Sequence, residues 1–504
     1  ISKCEAFLGL GHTGRADHLH LRDGPQKDRV MLEKRKELVK SQDSLLSLHM
    51  AEQERWCKDR DFTDAFPGET CTRAFFDEVR GDRVDSHISK LRTPDGSHTY
   101  SNIHTILKGA TSHHSEEGGV FNRTLPTDPQ SSHERAQARA QLLDALEADN
   151  KRIPTAYSND LSLEQVITPE HVQQALGSLN GNTSTEDGIP AEWFRRMAPP
   201  VLEENKEPMP SPLARLLSSA FREMVTEGKG MSARMRKSTI GFIYKEKGPR
   251  YFMKNYRPIG VTSVLYRILS KVMVIAIQPL LKHVVTPLQA AFQDGRYIGE
   301  NIQLVQDLMA YLKAEDKQGL LVFCDQDNAY PRVRWDFLQQ VMAKMQIHKD
   351  YRALAECMYN ADLELKVKVN GHIGTPFHPQ NGLVQGCPWA PCAYLLYFQT
   401  FLSLLNHPSQ GLPTLSGISI PGKGGDMENK EQLIAAAFAD DLLCALQDED
   451  ELPGFRTILK VYETGASAVN SWPKTFALRA GALEGSTHLP EGWIEGVHIN
   501  TSET

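Results

Sequence analysis

Leu433-Ile434-Ala435-Ala436-Ala437-Phe438-Ala439-Asp440-Asp441-Leu442-Leu443-Cys444-Ala445 is the stretch that decides the fold. Two apolar runs flank an Ala-Asp-Asp break, the pattern of a β-hairpin with two acids at its tip. Adjacent carboxylates at a tight turn repel each other, and a cation that neutralises them removes the cost. A second run, Gly319-Leu320-Leu321-Val322-Phe323-Cys324, is short, continuous and apolar; it reads as a fully buried strand and ends in Asp325. If that strand lies beside the hairpin, Asp325, Asp440 and Asp441 converge. Hard oxygen donors without soft ones suit two Mg²⁺ ions roughly 3.5–4 Å apart, with Mn²⁺ as a substitute, that clamp the attacking and leaving oxygens of a phosphoryl transfer. Taken alone, an Asp-Asp pair is more often a polar turn.

Working outward, Arg234 to Lys271 holds ten Lys or Arg against the single acid Glu246. That local excess can hold several phosphates, although a solvated face is the bland reading of such a run. The net charge of −7 speaks against a nucleic-acid partner only as a sum, because the acids collect elsewhere, notably from Asp440 to Glu451. At 504 residues and 40% hydrophobic, the chain suggests two or three domains with at least one large core. No run approaches 18 consecutive apolar residues and no secretory leader is visible, so the expectation is a soluble intracellular protein, nuclear or cytoplasmic, without a membrane span. The oligomeric state stays open. A start at Ile1 suggests a fragment.

Eight scattered cysteines form no C-x-x-C pair, which fits reduced thiols. His113 and His114 have no partner at metal-ligand spacing and read as surface histidines without a role. Helical periodicity marks Val30 to about Trp56 and Glu134 to Ala148, and Pro94-Asp95-Gly96 supplies turn chemistry between them. Thr168-Pro169-Glu170 opens a helix that carries Val172, Ala175, Leu176 and Leu179 on one face and ends at Asn180-Gly181. A second helical segment begins near Ala191, an apolar stretch spans Thr239 to Tyr244, and a helix runs from about Ser263 to Leu281.

With these motifs in this order over about residues 160 to 480, the chain resembles the reverse transcriptases, and most closely those of non-LTR, LINE-like retrotransposons. Phe323-Cys324-Asp325-Gln326-Asp327-Asn328-Ala329-Tyr330 is similar to the first catalytic motif, and Phe438-Ala439-Asp440-Asp441 to the acidic hairpin. The resemblance implies that Asp325, Asp440 and Asp441 are catalytic metal ligands, Asp440 more strongly than Asp441. Asn381-Gly382-Leu383-Val384-Gln385-Gly386 resembles the glycine-rich loop beside template and nucleotide, with Gln385 and Gly386 at its core. Asn255-Tyr256-Arg257-Pro258-Ile259 looks like the fingers motif, and Asp187-Gly188-Ile189-Pro190-Ala191-Glu192 like the block that precedes it. Arg257, Lys245 and Lys247 are then candidates to grip the triphosphate.

Tyr330 matches the bulky position that excludes a ribose 2′-hydroxyl. Ala290 to Arg296 is similar to the family's Q-x-G-F-x-x-G-R stretch, with Arg296 the weaker candidate. Thr464 to Thr475 looks like the S-G-x-x-x-N-x-x-K-S block, in which Lys474 helps neutralise or protonate the leaving pyrophosphate. Where the family reads K-A-F-D after the first catalytic Asp, this chain reads Asn328-Ala329-Tyr330-Pro331, and Pro331 removes a backbone donor.

The implied fold is α+β, a right-hand polymerase: a helical linker over 1–160, fingers over 161–318, a palm over 319–480, and a truncated tail over 481–504 that leaves little room for a thumb. The implied function is RNA-directed DNA polymerisation, with an RNA template, a DNA primer and deoxynucleoside triphosphates as partners. A catalytically inactive relic that still binds nucleic acid is the alternative. An RNA-directed RNA polymerase would share the metal chemistry, and Tyr330 counts against it.

Overall fold

The computed structural model describes residues 87–93, 96–179, 188–201, 208–228, 230–422, 426–481, 492–494 and 497–500. The expected helix from Val30 to Trp56, the turn residues Pro94 and Asp95, and Asn182 to Asp187 lie outside the described residues. In chain order, the hairpin β1 (Leu91–Arg92) and β2 (Thr99–Tyr100) precedes the helices α1 (Ile103–Ser115), α2 (Pro129–Ala148), α3 (Pro169–Gly177), α4 (Ala191–Met197) and α5 (Pro212–Thr226), with a single helical turn over Leu163–Val166 ahead of α3. Then come β3 (Lys237–Tyr244), β4 (Tyr256–Thr262), α6 (Val264–Ile277), α7 (Ile298–Ala314), β5 (Gln318–Cys324), α8 (Ala329–Arg332), α9 (Trp335–Lys344) and α10 (Lys349–Met358). The strands β6 (Glu364–Val369) and β7 (His372–Ile373) lead to α11 (Ala390–Asn406). The rest is β8 (Ile418–Gly422), β9 (Asp426–Leu433), β10 (Ala435–Phe438), β11 (Asp441–Leu446), α12 (Leu452–Ala466), β12 (Phe476–Gly481), β13 (Gly492–Ile494) and β14 (Val497–Asn500).

The helices start where the sequence supplies caps. Thr168 accepts from the His171 amide and Pro169 opens α3, while Asp128, Ser211 and Ser263 cap α2, α5 and α6 in the same way. Two ends differ from expectation. Helix α3 stops at Gly177, and Leu179, expected on its face, is buried just beyond it. Helix α6 stops at Ile277, because Pro279 has no amide hydrogen to continue it; a 3₁₀ turn over Gln278–Leu280 takes the chain into the short helix Leu281–Val284. By length and composition alone Val264–Val284 could cross a membrane, but it is two-thirds buried within this fold, as a core helix would be.

A six-stranded sheet, ordered β10-β11-β5-β12-β14-β13, carries the acidic hairpin. Its strand β5 is apolar from Gly319 to Cys324 because both faces are covered there. Leu320, Val322 and Cys324 enter the main core with Phe398 and Leu402 of α11, whereas Leu321 and Phe323 face a second cluster with Leu308 and Leu312 of α7. A four-stranded sheet, β4-β3-β6-β7, carries the basic segment on its β3–β4 ribbon.

Two stretches expected at the margins are parts of the core. Helix α2 contributes Leu142, Ala145 and Leu146 to the main cluster and crosses α12 at Gly465. There an added Cβ would stand 2.7 Å from Leu142 and 3.1 Å from the α2 backbone, so the helices meet at contact distance. The expected tail supplies β13 and β14; β14 pairs in parallel with β12 and buries Val497 and Ile499.

Candidate active site

β11 runs antiparallel to β5 with Leu442 opposite Cys324. One step further along that register brings Asp441 opposite Asp325 at the open end of the ladder. The hairpin turns through Ala439 and Asp440, with Phe438 paired to Asp441. Ala439 is left-handed (φ 55°) and Asp440 is not, the sign pattern of a type II′ turn, so a non-glycine residue holds a strained corner. Asp440 lies within electrostatic reach of Tyr394 and Tyr462, on the core side of the turn.

A second strand end supports Asp325. Its carbonyl accepts from the Ser471 amide at 2.8 Å, the Asp327 amide donates to the Val469 carbonyl at 2.9 Å, and Gln326 bridges to Asn470. This zipper brings the Lys474 ammonium onto the Asp325 carboxylate at 2.5 Å. Among the described residues no three His, Cys, Asp or Glu side chains form a ready-made metal cluster; the strand register sets the acidic strand ends side by side without a preset ligand cage. The donor chemistry itself, carboxylates at adjoining strand ends, fits a hard divalent cation.

The β3–β4 ribbon delivers the cations. Ile243 pairs with Arg257, and Lys245 follows at the strand end, its ammonium donating to the Lys254 carbonyl at 2.9 Å. Burial, with Lys474 and Arg257 nearby, holds Lys245 below the ordinary lysine range against the pull of Asp327 and Asp325. Arg257, Lys245, Lys474 and Asp325 therefore share one site. Lys247 sits in the exposed turn after the left-handed Glu246 (φ 57°), and no contact among the described residues brings it to the carboxylates. Arg296 is also elsewhere, bound to Glu300 and the Pro287 carbonyl, where it fixes the entry to α7.

Tyr330 opens off α8, its ring stacked on Tyr394 at 4.9 Å with 14° between planes. Gln385 and Gly386 lie where the loop crosses β4. The Gly260 amide donates to the Gln385 carbonyl at 2.6 Å, and a Cβ on Gly386 (φ 106°) would collide with the Gly260 carbonyl. Glycine at 386 is thus required by a backbone crossing inside the protein, a reason different from the expected approach to a ligand. The side-chain Oε1 of Gln385 is buried without a hydrogen-bond partner among the described residues.

Sequence reasoning missed three groups. Gln289 is buried; it donates to the Ala439 carbonyl at 3.0 Å and accepts from the Ala439 amide at 2.8 Å, so one side chain clamps the strained corner beside Asp440. Its signal was present, since Gln289 precedes Ala290 in register with the Q of Q-x-G-F-x-x-G-R. Asp327 bonds Arg332 at 2.5 Å; burial alone would raise its carboxyl, but Arg332 and Arg123 hold it below the usual range. His114 is buried and not a surface residue. Its Nδ1 lies 2.7 Å from the Ala110 carbonyl and its ring packs against Phe121 and Phe242, and burial pushes its pKa down to about 3.

Sequence comparison agrees with this geometry. Residues 243–476 match the reverse transcriptase (RNA-dependent DNA polymerase) family. The reverse transcriptase match takes in the end of β3, all of β4, the glycine-rich loop, both acidic strand ends and Lys474. The Transposon TX1 uncharacterized 149 kDa protein of Xenopus laevis is 27% identical over 324 residues, which is 64% of this chain and 23% of that protein. The chain thus spans about a quarter of the length of that relative. Helices α1 and α2 lie before the reverse transcriptase segment, yet each packs into a cluster it shares with that segment: α2 in the main core, α1 in a smaller cluster with Met253, Tyr256 and Val367.

Proposed function

We propose that the chain is the polymerase part of a retrotransposon of the non-LTR type, acting inside the cell to copy an RNA template into DNA from a DNA primer. The observation that carries this reading is the register of β5 against β11, which sets Asp325 beside the Asp440-Asp441 hairpin with Lys245, Arg257 and Lys474 around them. In this reading the six-stranded sheet is the palm and the β3–β4 ribbon belongs to the fingers.

Asp325, Asp440 and Asp441 would hold two Mg²⁺ ions, with Mn²⁺ as substitute, that lower the charge on the reacting phosphate. Lys245 and Arg257 bind the triphosphate oxygens and orient the α-phosphate toward the primer 3′-oxygen. Lys474, already on Asp325, is placed to donate a proton to the leaving pyrophosphate. Tyr330, braced by Tyr394, blocks the space a 2′-hydroxyl would need and so selects deoxynucleotides.

The test is primer extension on an RNA template with Mg²⁺ and deoxynucleoside triphosphates, comparing the chain with its Asp440→Asn variant. Extension by the parent alone supports the reading. Template binding without extension by either would make the chain a nucleic-acid-binding relic, and equal extension by both would remove Asp440 from the chemistry.

A further inference from the structure

Arg123 precedes the segment that matches the family and belongs to none of its motifs. Its main chain is pinned twice: its amide donates to Asn381 Oδ1 at 2.8 Å, and its carbonyl accepts from the Arg334 guanidinium at 3.1 Å. Asn381 is fully buried and also donates to the Pro331 carbonyl at 2.6 Å, which ties the glycine-rich loop and the end of α8 to the same point. The Phe121 carbonyl accepts from the Gln380 amide at 2.8 Å. The Arg123 side chain therefore leaves from a rigid base beside the site.

That side chain is partly buried, within electrostatic reach of Asp327 and Arg332, and its Nε is buried with no hydrogen-bond partner among the described residues. Arg332 already holds the Asp327 carboxylate, and Lys245 also lies within reach of it. Around this point three cations, Arg123, Arg332 and Lys245, face the carboxylate of Asp327, while the Asp325 carboxylate that also reaches Lys245 is already held by Lys474. His113, neighbour to both Arg123 and Lys245, adds no negative charge. A partly desolvated cation excess converging on one point fits a compact polyanion with many oxygens. A nucleic-acid strand instead spreads its phosphates and asks for cations spaced along a groove.

We propose that Arg123 binds the outer phosphates of the incoming deoxynucleoside triphosphate, a positioning contact supplied from outside the family segment. The inference rests on the polymerase reading of the site. Because both main-chain anchors use backbone atoms of Arg123, changing its side chain leaves the loop connections in place.

The experiment measures equilibrium binding of dTTP and dTDP, with Mg²⁺ and annealed primer–template, to the full chain and to its Arg123→Gln and Arg123→Lys variants. Extension kinetics and primer–template affinity across a salt series accompany it. Arg123→Gln is expected to weaken dTTP binding and raise its KM about tenfold, from the usual worth of a charged hydrogen bond. The loss should be smaller for dTDP, with kcat little changed and partial recovery in Arg123→Lys. Unchanged dTTP affinity overturns the inference, as does an equal loss for both nucleotides. A loss confined to primer–template binding with a shallower salt slope overturns it too, and assigns Arg123 to the template. If Arg123→Gln does not fold, Arg123→Lys carries the same comparison of triphosphate with diphosphate. A parent chain that neither binds nucleotide nor extends primer removes the polymerase reading as well; a parent that extends while the variant keeps its triphosphate affinity removes this inference alone.

Discussion

At the scale of single residues, the acids were readable because each ends an apolar run, and an apolar strand that stops at a carboxylate has few structural reasons to do so. Asp325→Asn is expected to abolish extension while the denaturation midpoint moves little, since its carboxylate is partly exposed and its backbone contacts survive. Normal extension by that variant would take Asp325 out of the metal site. Tyr330→Ala should raise incorporation of ribonucleotides relative to deoxynucleotides, and an unchanged ratio would leave Tyr330 a packing residue of the Tyr394 stack. Residues whose role depends on distant partners were harder to see. Asp327 reads as one more acid in a polar turn until the chain folds Arg332 and Arg123 against it. His114 reads as a surface histidine because its burying rings come from Phe121 and from Phe242, the latter far along the chain.

At the scale of elements, β5, the acidic hairpin and α3 were legible from pattern and caps, whereas helix ends were set by Pro279 and by local bonding that periodicity does not report. His114 gives helix α1 a pH dependence. Its folded pKa of about 3 lies below the usual 6.5, so between those values the unfolded chain binds a proton that the folded chain does not. Stability from this group is complete above pH 6.5 and is lost as the pH falls toward 3, by about 2 kcal/mol between pH 6.5 and 5. Urea titrations at the two pH values should show that loss, and His114→Phe should show a smaller one; an identical pH response would mean that other groups carry it. The hairpin corner offers a second test. Gln289→Ala strips the Ala439 amide and carbonyl of their buried partners, at about 1–3 kcal/mol for each group left unsatisfied. Extension should fall more steeply than stability, because the corner it releases holds Asp440; a variant as active as the parent would show that the turn keeps its shape unaided.

At the scale of the whole molecule, helix α2, which lies before residue 161, is part of the core. Leu142, Ala145 and Leu146 lie in the same cluster as β5 and α11, and Gly465 lets α2 approach α12 without an intervening side chain. A chain that begins at residue 161 would expose that apolar surface, and it is expected to bind a hydrophobic dye and to lose a cooperative thermal transition. Sharp cooperative melting of such a fragment would show that α2 is dispensable. Composition could not reveal this: α2 is mostly polar, and its few apolar residues matter only because α11 and α12, more than 240 residues later, close over them. Nor could spacing reveal that Val497–Asn500 extends the sheet as a parallel strand, since such a pairing needs a crossover and leaves no local turn signal.

The crossing of Gly260 and Gly386 joins two parts that a moving enzyme would need to keep in step. The ribbon bearing Lys245 and Arg257 is fastened to the loop bearing Gln385 by a backbone hydrogen bond, and the Val384 side chain fills the space beside Gly260. A swing of the ribbon would therefore pull directly on the loop, like two links of a chain drawn tight, so that the grip on a phosphate tail and the setting of the loop would change in a single stroke.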